Sequence, residues 1–400
     1  MVQETNAKQK PKILFVYNTI APYTRPFFTG LSRIYDVKFI FTDIQVSKDM
    51  YKVATPEKGE NADNINYRTR RRHLRIISPS GVPLGLFIDL CRERCDAVVA
   101  IADTVEMPLC FLAARLRRKP LLLESVVWEW GKKPGIKKPG SFFTRYFLRC
   151  AEAVIVPGTK HKEYAVALGA RPDKVFIMPY ASNIVFKEAD YKEARRIRES
   201  LNIASKKVIF FVGRLVDQKG VNYLLEVFAM IRKERDDVAL LIVGDGEAKA
   251  KLEAQAADLG VKDSARFVGF QSNEKLAAYY LAGDICAVPS ITLGQADVWV
   301  RTVNDAMQAG KPVVATSAVG ASFDMIEEGE NGFIVPERDG AALYQALKKL
   351  VVSPELAKKM GEKSKLIVEQ RFEYPQMIDG FSRAIEAVLD GKGRKKKVSP

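Results

Sequence analysis

Residues 208–220 read Val208-Ile-Phe-Phe-Val-Gly-Arg-Leu-Val-Asp-Gln-Lys-Gly220. Five apolar residues suit a short buried strand, and an amphipathic helical stretch over 221–232 follows the second glycine. The two glycines permit a tight turn, and the helix N-terminus offers free N–H groups to an anion. Arg214 and Lys219 add positive charge at the same place. The segment predicts a phosphate-binding strand–loop–helix unit; a solvated connecting loop is the alternative.

Short apolar runs alternate with longer amphipathic stretches along the whole chain. This alternation is typical of parallel sheets covered by helices on both faces. Six strands are predicted in each half, over 13–17, 37–41, 97–101, 120–124, 153–156 and 175–178, and over 208–212, 239–243, 265–268, 285–288, 312–315 and 332–335.

The chain length of 400 residues exceeds that of one compact domain. Six strands in each half favour two doubly wound α/β domains over one large sheet. We place an N-terminal domain at 1–183 and a C-terminal domain at 184–372. A helix over 373–390 is expected to pack its apolar face on a neighbour, and the basic tail over 391–400 to be disordered.

The net charge is +15, and residues 1–190 alone carry +12. A basic half favours an anionic partner: a lipid surface, a phosphorylated acceptor or nucleic acid. No nucleic-acid recognition motif is found, so we predict no nucleic-acid partner. Five cysteines without a CxxC pair indicate reduced thiols, and with only two histidines a zinc site has few possible ligands, so we predict none. No apolar window predicts a membrane span or signal peptide, which favours a cytoplasmic protein, either soluble or peripheral on the inner face of the cytoplasmic membrane.

A second polar segment lies at 296–307, Ala296-Asp-Val-Trp-Val-Arg-Thr-Val-Asn-Asp-Ala-Met307. Asp305 falls near the start of a predicted helix, and Asp297 precedes it in the loop. Carboxylates accept paired hydrogen bonds from vicinal hydroxyls, so the two acids suit a ribose and a sugar. Simple N-terminal capping of the helix by Asp305 is the alternative.

Five motifs occur in a set order, over 212–220, 242–247, 267–271, 282–290 and 297–335. Together they resemble the family 4 glycosyltransferases of the GT-B fold across nearly all of the second half. The resemblance implies two Rossmann-like domains facing across a cleft, the first binding the acceptor and the second the nucleotide sugar. It also implies a C-terminal helix that crosses back to the N-terminal domain.

The resemblance assigns roles to individual residues. Arg214 and Lys219 would bind the donor diphosphate, and Asp297 and Asp305 stand where the family has paired glutamates for the sugar and the ribose. Val300 replaces a common glycine, and Arg301 is a further phosphate ligand or a solvated arginine. The predicted donor-binding set is Gly213, Arg214, Lys219, Phe270, Gln271, Asp297, Val300, Arg301, Thr302 and Asp305.

The first half resembles the family mainly through its first strand and the loop after it. Tyr23, Thr24 and Arg25 in that loop are predicted to contact the acceptor. Many relatives have a histidine in the middle of this domain, whereas residues 123–130 contain none. Glu124 ends a predicted strand there, where ligand sites gather, and is a candidate base for the acceptor. Trp128 is either an acceptor contact or a packing residue.

Two basic clusters occur in the first half, and the second lies beside aromatic residues; a basic segment with an aromatic face is what attachment to an anionic membrane requires. Solvated charged faces are the alternative. The clusters comprise Arg68, Arg70, Arg71, Arg72 and Arg75, and Lys132, Lys133, Lys137, Lys138, Arg145 and Arg149 beside Phe142, Phe143 and Phe147.

The residues and the resemblance together predict a metal-independent hexosyltransferase-type enzyme (EC 2.4) without a cofactor, and the resemblance implies that it is a retaining enzyme. It would transfer sugar from a nucleotide-diphosphate sugar to a lipid-linked or growing glycan in cell-envelope polysaccharide or glycoconjugate synthesis. The predicted catalytic residues are Arg214, Lys219, Asp297, Asp305 and Glu124. The alternative is a non-catalytic relative that binds a nucleotide sugar and assists a partner transferase.

Overall fold

The computed structural model describes residues 10–18, 23–42, 66–69, 84–102, 104–128, 139–294, 297 and 299–396. Within them, the first domain contains a parallel sheet of seven strands in the order β3-β2-β1-β4-β5-β6-β7. The strands are β1 (Lys12–Tyr17), β2 (Asp36–Phe41), β3 (Tyr67–Thr69), β4 (Ala97–Ile101), β5 (Leu121–Glu124), β6 (Ala153–Val156) and β7 (Val175–Ile177). The described helices are α1 (Arg25–Ile34), α2 (Leu84–Arg92), α3 (Met107–Leu116), α4 (Pro139–Cys150) and α5 (Thr159–Ala167).

The second domain contains a six-stranded parallel sheet in the order β10-β9-β8-β11-β12-β13. Its strands are β8 (Lys207–Val212), β9 (Val238–Val243), β10 (Ala265–Phe267), β11 (Ile285–Val288), β12 (Val313–Thr316) and β13 (Gly332–Val335). Its helices are α6 (Glu188–Ser200), α7 (Val221–Glu234), α8 (Lys249–Asp258), α9 (Asn273–Ala282), α10 (Arg301–Gln308), α11 (Ser322–Met325), α12 (Gly340–Val352) and α13 (Pro354–Arg371). The predicted class, two Rossmann-like α/β domains, is confirmed.

Each sheet is buried on both faces, as its near-continuous apolar strands require. In β1, Ile13 and Phe15 enter the core under α1, whereas Leu14 and Val16 enter the core under α2–α5. Successive residues of a strand point to opposite faces, so one apolar run contributes to both cores. At the junction between the domains, Ala181 packs in the first domain and Ile184 in the second.

The last helix, α14 (Tyr374–Lys396), returns to the first domain. Its Phe381 ring lies 5.5 Å from the rings of both Phe15 and Phe27, measured between centroids. Burying one such side chain contributes about 1.5–3 kcal/mol. The prediction of disorder from residue 391 is wrong for 391–396. Adding residues to an existing helix costs little free energy. The lysines and arginine of this run are good helix formers, which offsets the unfavourable helix propensity of its two glycines.

Strand β3 is absent from the sequence prediction. Its residues are half-buried or exposed at the edge of the sheet, where they carry no apolar alternation, and the strand forms by pairing with β2. All five cysteines are free thiols. In the described part of the chain, no helix combines the length and apolar character needed to cross a bilayer.

Candidate functional site

The loops after β8 and β11 meet at the point where the strand order of the second sheet reverses. Ligands of doubly wound sheets bind at such switch points, outside the carboxyl ends of the strands. The Ile291 amide donates to the Gln218 carbonyl at 2.8 Å and ties the two loops together. Gly220, at φ +65°, is the left-handed N-cap residue that precedes α7, and it packs against the Pro289 carbonyl. This packing fixes the predicted phosphate loop at the switch point.

Lys219 and Asp297, 78 residues apart in sequence, form an ion pair in this crevice. Lys219 Nζ lies 2.5 Å from Asp297 Oδ2, and each side chain is 15% exposed. The Ser290 hydroxyl, from the loop after β11, donates to the same oxygen at 2.7 Å. The structure therefore brings together the cation predicted for the phosphate and the carboxylate predicted for the sugar.

The main chain of Asp297 also joins the site to the first domain. Trp128 Nε1 donates to the Asp297 carbonyl at 3.1 Å, and the Trp128 ring is 1% exposed. Nearby, Asp324 accepts from the Thr159 amide and hydroxyl at the start of α5, and its pKa is raised by burial. Trp128 therefore packs between the domains in this structure, and its predicted contact with the acceptor stays a prediction.

The other residues that are predicted to bind the donor around this loop lie in different environments. The Arg214 side chain is exposed, and among the described residues it has no ion-pair partner. Thr302 donates its hydroxyl to the Val212 carbonyl at 2.9 Å, which fixes the first turn of α10 on the end of β8. Gln271 bonds to the Val268 carbonyl, and Phe270 is 59% exposed. Of these four residues, Arg214 and Phe270 are exposed, whereas Thr302 and Gln271 are half-buried.

Asp305 lies in a different environment from Asp297. It is the fifth residue of α10, is 5% exposed and accepts from the Tyr280 hydroxyl at 3.1 Å. Burial raises its pKa, which the Arg301 charge and a hydrogen bond from Ser182 partly oppose. Asp305 does not cap α10, because the N-cap position is Val300.

Val300 and Arg301 begin α10 without backbone strain. Val300 has φ −79°, and its side chain packs in the core of the second domain, so the missing glycine costs no strained conformation here. The Arg301 guanidinium lies 3.8 Å from the centroid of the Tyr23 ring and donates to Asn183. Arg301 therefore contacts the predicted acceptor loop, whose Thr24 precedes α1 and whose Arg25 begins it.

Glu124 ends β5 and is 2% exposed. The Tyr180 hydroxyl donates to its Oε1 at 2.5 Å, and within the described residues no group bonds to its Oε2. Burial raises the pKa of Glu124 from its ordinary 4.5 to about 7, against the lowering effect of the Tyr180 bond. A carboxyl with this pKa exchanges a proton near neutral pH, as a general base must.

We predict that Glu124→Gln flattens the pH dependence of stability. Because the folded protein holds this proton up to about pH 7 and the unfolded chain releases it near 4.5, wild-type stability falls as pH rises between these values. At about 1.4 kcal/mol per pKa unit, the difference between variant and wild type should change by up to about 3 kcal/mol. Urea denaturation at pH 5 and pH 8 measures it, with Glu152→Gln as the control. Parallel curves for wild type and Glu124→Gln would contradict the assignment.

His161 is a residue of this region that the sequence analysis missed. It lies in the first turn of α5, is 0% exposed, and its ring centroid is 6.0 Å from Trp128 and 6.2 Å from Trp299. The available signal was its position just after the carboxyl end of β6. Residues 123–130 contain no histidine, but the fold brings His161 to Trp128 from 33 residues further along the chain.

Other predictions fall partly outside the described residues. Residues 70–75 and 132–138, which hold most of the two basic clusters, are not described, and neither are 19–22 of the acceptor loop. Within the described ranges, no three His, Cys, Asp or Glu side chains are grouped so as to hold a metal ion. The prediction of metal-independent chemistry stays a prediction.

Solved structures of other proteins share this architecture. The HepE protein of Anabaena in complex with UDP superposes with a TM-score of 0.74 over 94% of this chain and 100% of its own, at 18% identity. Sucrose-phosphate synthase of Thermosynechococcus elongatus gives 0.71 over 96% of this chain and 100% of its own, at 19% identity. The two facing Rossmann-like domains are the GT-B fold of glycosyltransferases.

Residues 193–366, most of the second domain, match the family model described as "Glycosyl transferases group 1". Alpha-D-kanosaminyltransferase of Streptomyces kanamyceticus is 28% identical over 54% of this chain and 56% of its own. A GDP-mannose-dependent alpha-(1-6)-phosphatidylinositol monomannoside mannosyltransferase of Mycolicibacterium smegmatis is 32% identical over 42% and 44%. The chain spans about half the length of these curated relatives.

Proposed function

We propose that this protein is a retaining, metal-independent glycosyltransferase of family 4 that uses a nucleotide-diphosphate sugar. The observation that carries the proposal is the convergence of Lys219, Asp297 and Ser290 at the switch point of the second sheet. The family match over 193–366 covers this site, and its relatives are named as glycosyltransferases. The relative named as a phosphatidylinositol monomannoside mannosyltransferase supports a lipid-linked or glycan acceptor.

In the proposed mechanism the donor diphosphate lies over the loop between β8 and α7. As the bond to the sugar breaks, negative charge grows on the diphosphate, and Arg214, Lys219 and the first amides of α7 stabilise it. Lys219 must then exchange Asp297 for phosphate oxygen. Asp297 keeps its hydrogen bond from Ser290 and becomes available to a sugar hydroxyl.

The acceptor approaches from the first domain. Glu124 is close enough to neutral in pKa to receive the acceptor proton, provided that domain movement exposes its Oε2. Arg301 against Tyr23 links the acceptor loop to the first turn of α10, whose Asp305 is held by Tyr280. Attack on the face that the nucleotide leaves would retain the anomeric configuration.

The test is transfer from a panel of nucleotide sugars to membrane lipid extracts. Release of nucleoside diphosphate measures the transfer, and NMR determines the anomeric configuration of the product. We expect activity that persists in EDTA and falls at least about tenfold in Asp305→Asn, because a buried hydrogen-bonding carboxylate is lost. Asp263→Asn, an exposed acid of the same domain, is the matched control. Inversion of the anomeric configuration would contradict the retaining mechanism. Activity abolished by EDTA and restored by Mg²⁺ would contradict metal independence.

The second candidate is a non-catalytic nucleotide-sugar-binding protein. The observation that favours it is the ion pair between Lys219 and Asp297. The two residues predicted to bind the donor neutralise each other's charge. Calorimetry separates the two functions: donor binding without nucleotide release under every acceptor condition would favour the non-catalytic one.

A further inference from the structure

The outer surface of α2, α3 and α4 carries a group of exposed apolar side chains. The three helices cover the same face of the first sheet, since Leu90, Cys110 and Leu148 share one core cluster. On the opposite side they expose large apolar residues, up to 65% for Leu116 and 64% for Phe142. We call this set the apolar face; it consists of Ile88, Leu112, Leu116, Phe142, Phe143 and Tyr146.

The apolar face extends from α3 onto α4, and α2 lies beside α3. Helices α2 and α3 pack side by side, and the Phe111 ring of α3 lies 5.6 Å from Tyr146 and 4.9 Å from Phe147 of α4. On α4 itself, Phe142 and Phe143 have centroids 6.0 Å apart. Soluble monomers rarely leave large contiguous apolar patches uncovered, so a face of this kind indicates a binding surface.

The exposed charged side chains of these three helices are positive. The three helices contain a single acid, Asp89, which is 3% exposed and paired with Arg68 at 2.7 Å. Arg92 and Arg149 are exposed at the helix ends. The same helices also contain Arg115, which pairs with Glu152 at the rim, and Arg145.

We propose that α2, α3 and α4 dock this protein on an anionic membrane surface. The aromatic side chains of α4 would enter the headgroup region, and the arginines would contact lipid phosphates. The aliphatic residues Ile88, Leu112 and Leu116 favour lipid over nucleic acid, which is bound through cations and aromatic stacking. The inference goes beyond the proposed function, because membrane binding needs no sugar donor and can be measured without turnover.

Flotation of the full chain with lipid vesicles tests the docking face. Binding is expected to vesicles of phosphatidylcholine with phosphatidylglycerol, to weaken with salt, and to be much lower on phosphatidylcholine alone. Phe142→Ser/Phe143→Ser should reduce the partition coefficient on the order of tenfold or more. The matched control is Val352→Ser, which removes an apolar side chain that is 50% exposed in the second domain and should leave binding unchanged.

A second measurement does not depend on a destabilising change. Phe143→Trp places an indole on the apolar face, and brominated lipids should quench its added fluorescence upon vesicle binding. No flotation at low salt, an equal loss in Val352→Ser, or an added indole that bound vesicles leave unquenched would each overturn the proposal. Binding of a polynucleotide or self-association through this face, without vesicle binding, would overturn it in favour of those partners.

Discussion

Replacing Lys219 with alanine is expected to lower kcat/KM for glycosyl transfer by roughly 10²–10³-fold, the usual effect of removing one group that stabilises transition-state charge. Lys219 is the cation held within the crevice, through its 2.5 Å pair with Asp297. Its loss removes the charge that would balance the departing diphosphate, and among the described residues it leaves the Ser290 hydroxyl as the donor to Asp297 Oδ2. Steady-state release of nucleoside diphosphate measures the effect.

Lys358→Ala is the matched control for this substitution. Lys358 lies on α13 in the same domain with a side chain 80% exposed, and a surface pair such as its contact with Glu362 contributes little. We expect wild-type kinetics from it. If Lys219→Ala kept kcat/KM within about twofold of this control, Lys219 would not bind the diphosphate and the site assignment would fail.

Gly220→Ala is expected to destabilise the second domain by about 3 kcal/mol or more. A Cβ atom at Gly220 would stand 2.0 Å from the Pro289 carbonyl oxygen, and the residue has φ +65°. The left-handed conformation alone costs about 1 kcal/mol for alanine, and relief of the backbone clash must separate the two loops of the crevice. The donor site should loosen with the fold.

Gly260 separates these two contributions to the effect of Gly220→Ala. It has φ +69°, but a Cβ there would meet nothing within 4 Å. Gly260→Ala should therefore cost only about 1 kcal/mol. Urea denaturation and donor calorimetry on both variants measure the difference. Equal losses of stability in the two variants would show that packing of the loops does not hold the phosphate loop in place.

The sequence predicted the strands and the glycine-flanked turn after β8 because their signals are local. A buried parallel strand reads as a short apolar run, and the turn after β8 is marked by glycines at both ends, so residues 208–220 contain most of the information for their own structure. Strand β3 has no such signal. Its hydrogen bonds come from β2, and only the assembled sheet provides them.

The tertiary structure decided which site residues meet and what surrounds them. The motif order places Lys219 and Asp297 in one donor site, but their ion pair depends on the reversal of strand order between β8 and β11. The burial of Asp305 against Tyr280 and the proximity of His161 to Trp128 depend on contacts between distant segments. The sequence alone identified which residues carry suitable functional groups. Their protonation, hydrogen-bond partners and access to a ligand depend on burial and charge pairing, which arise from neighbours in space and therefore required the fold.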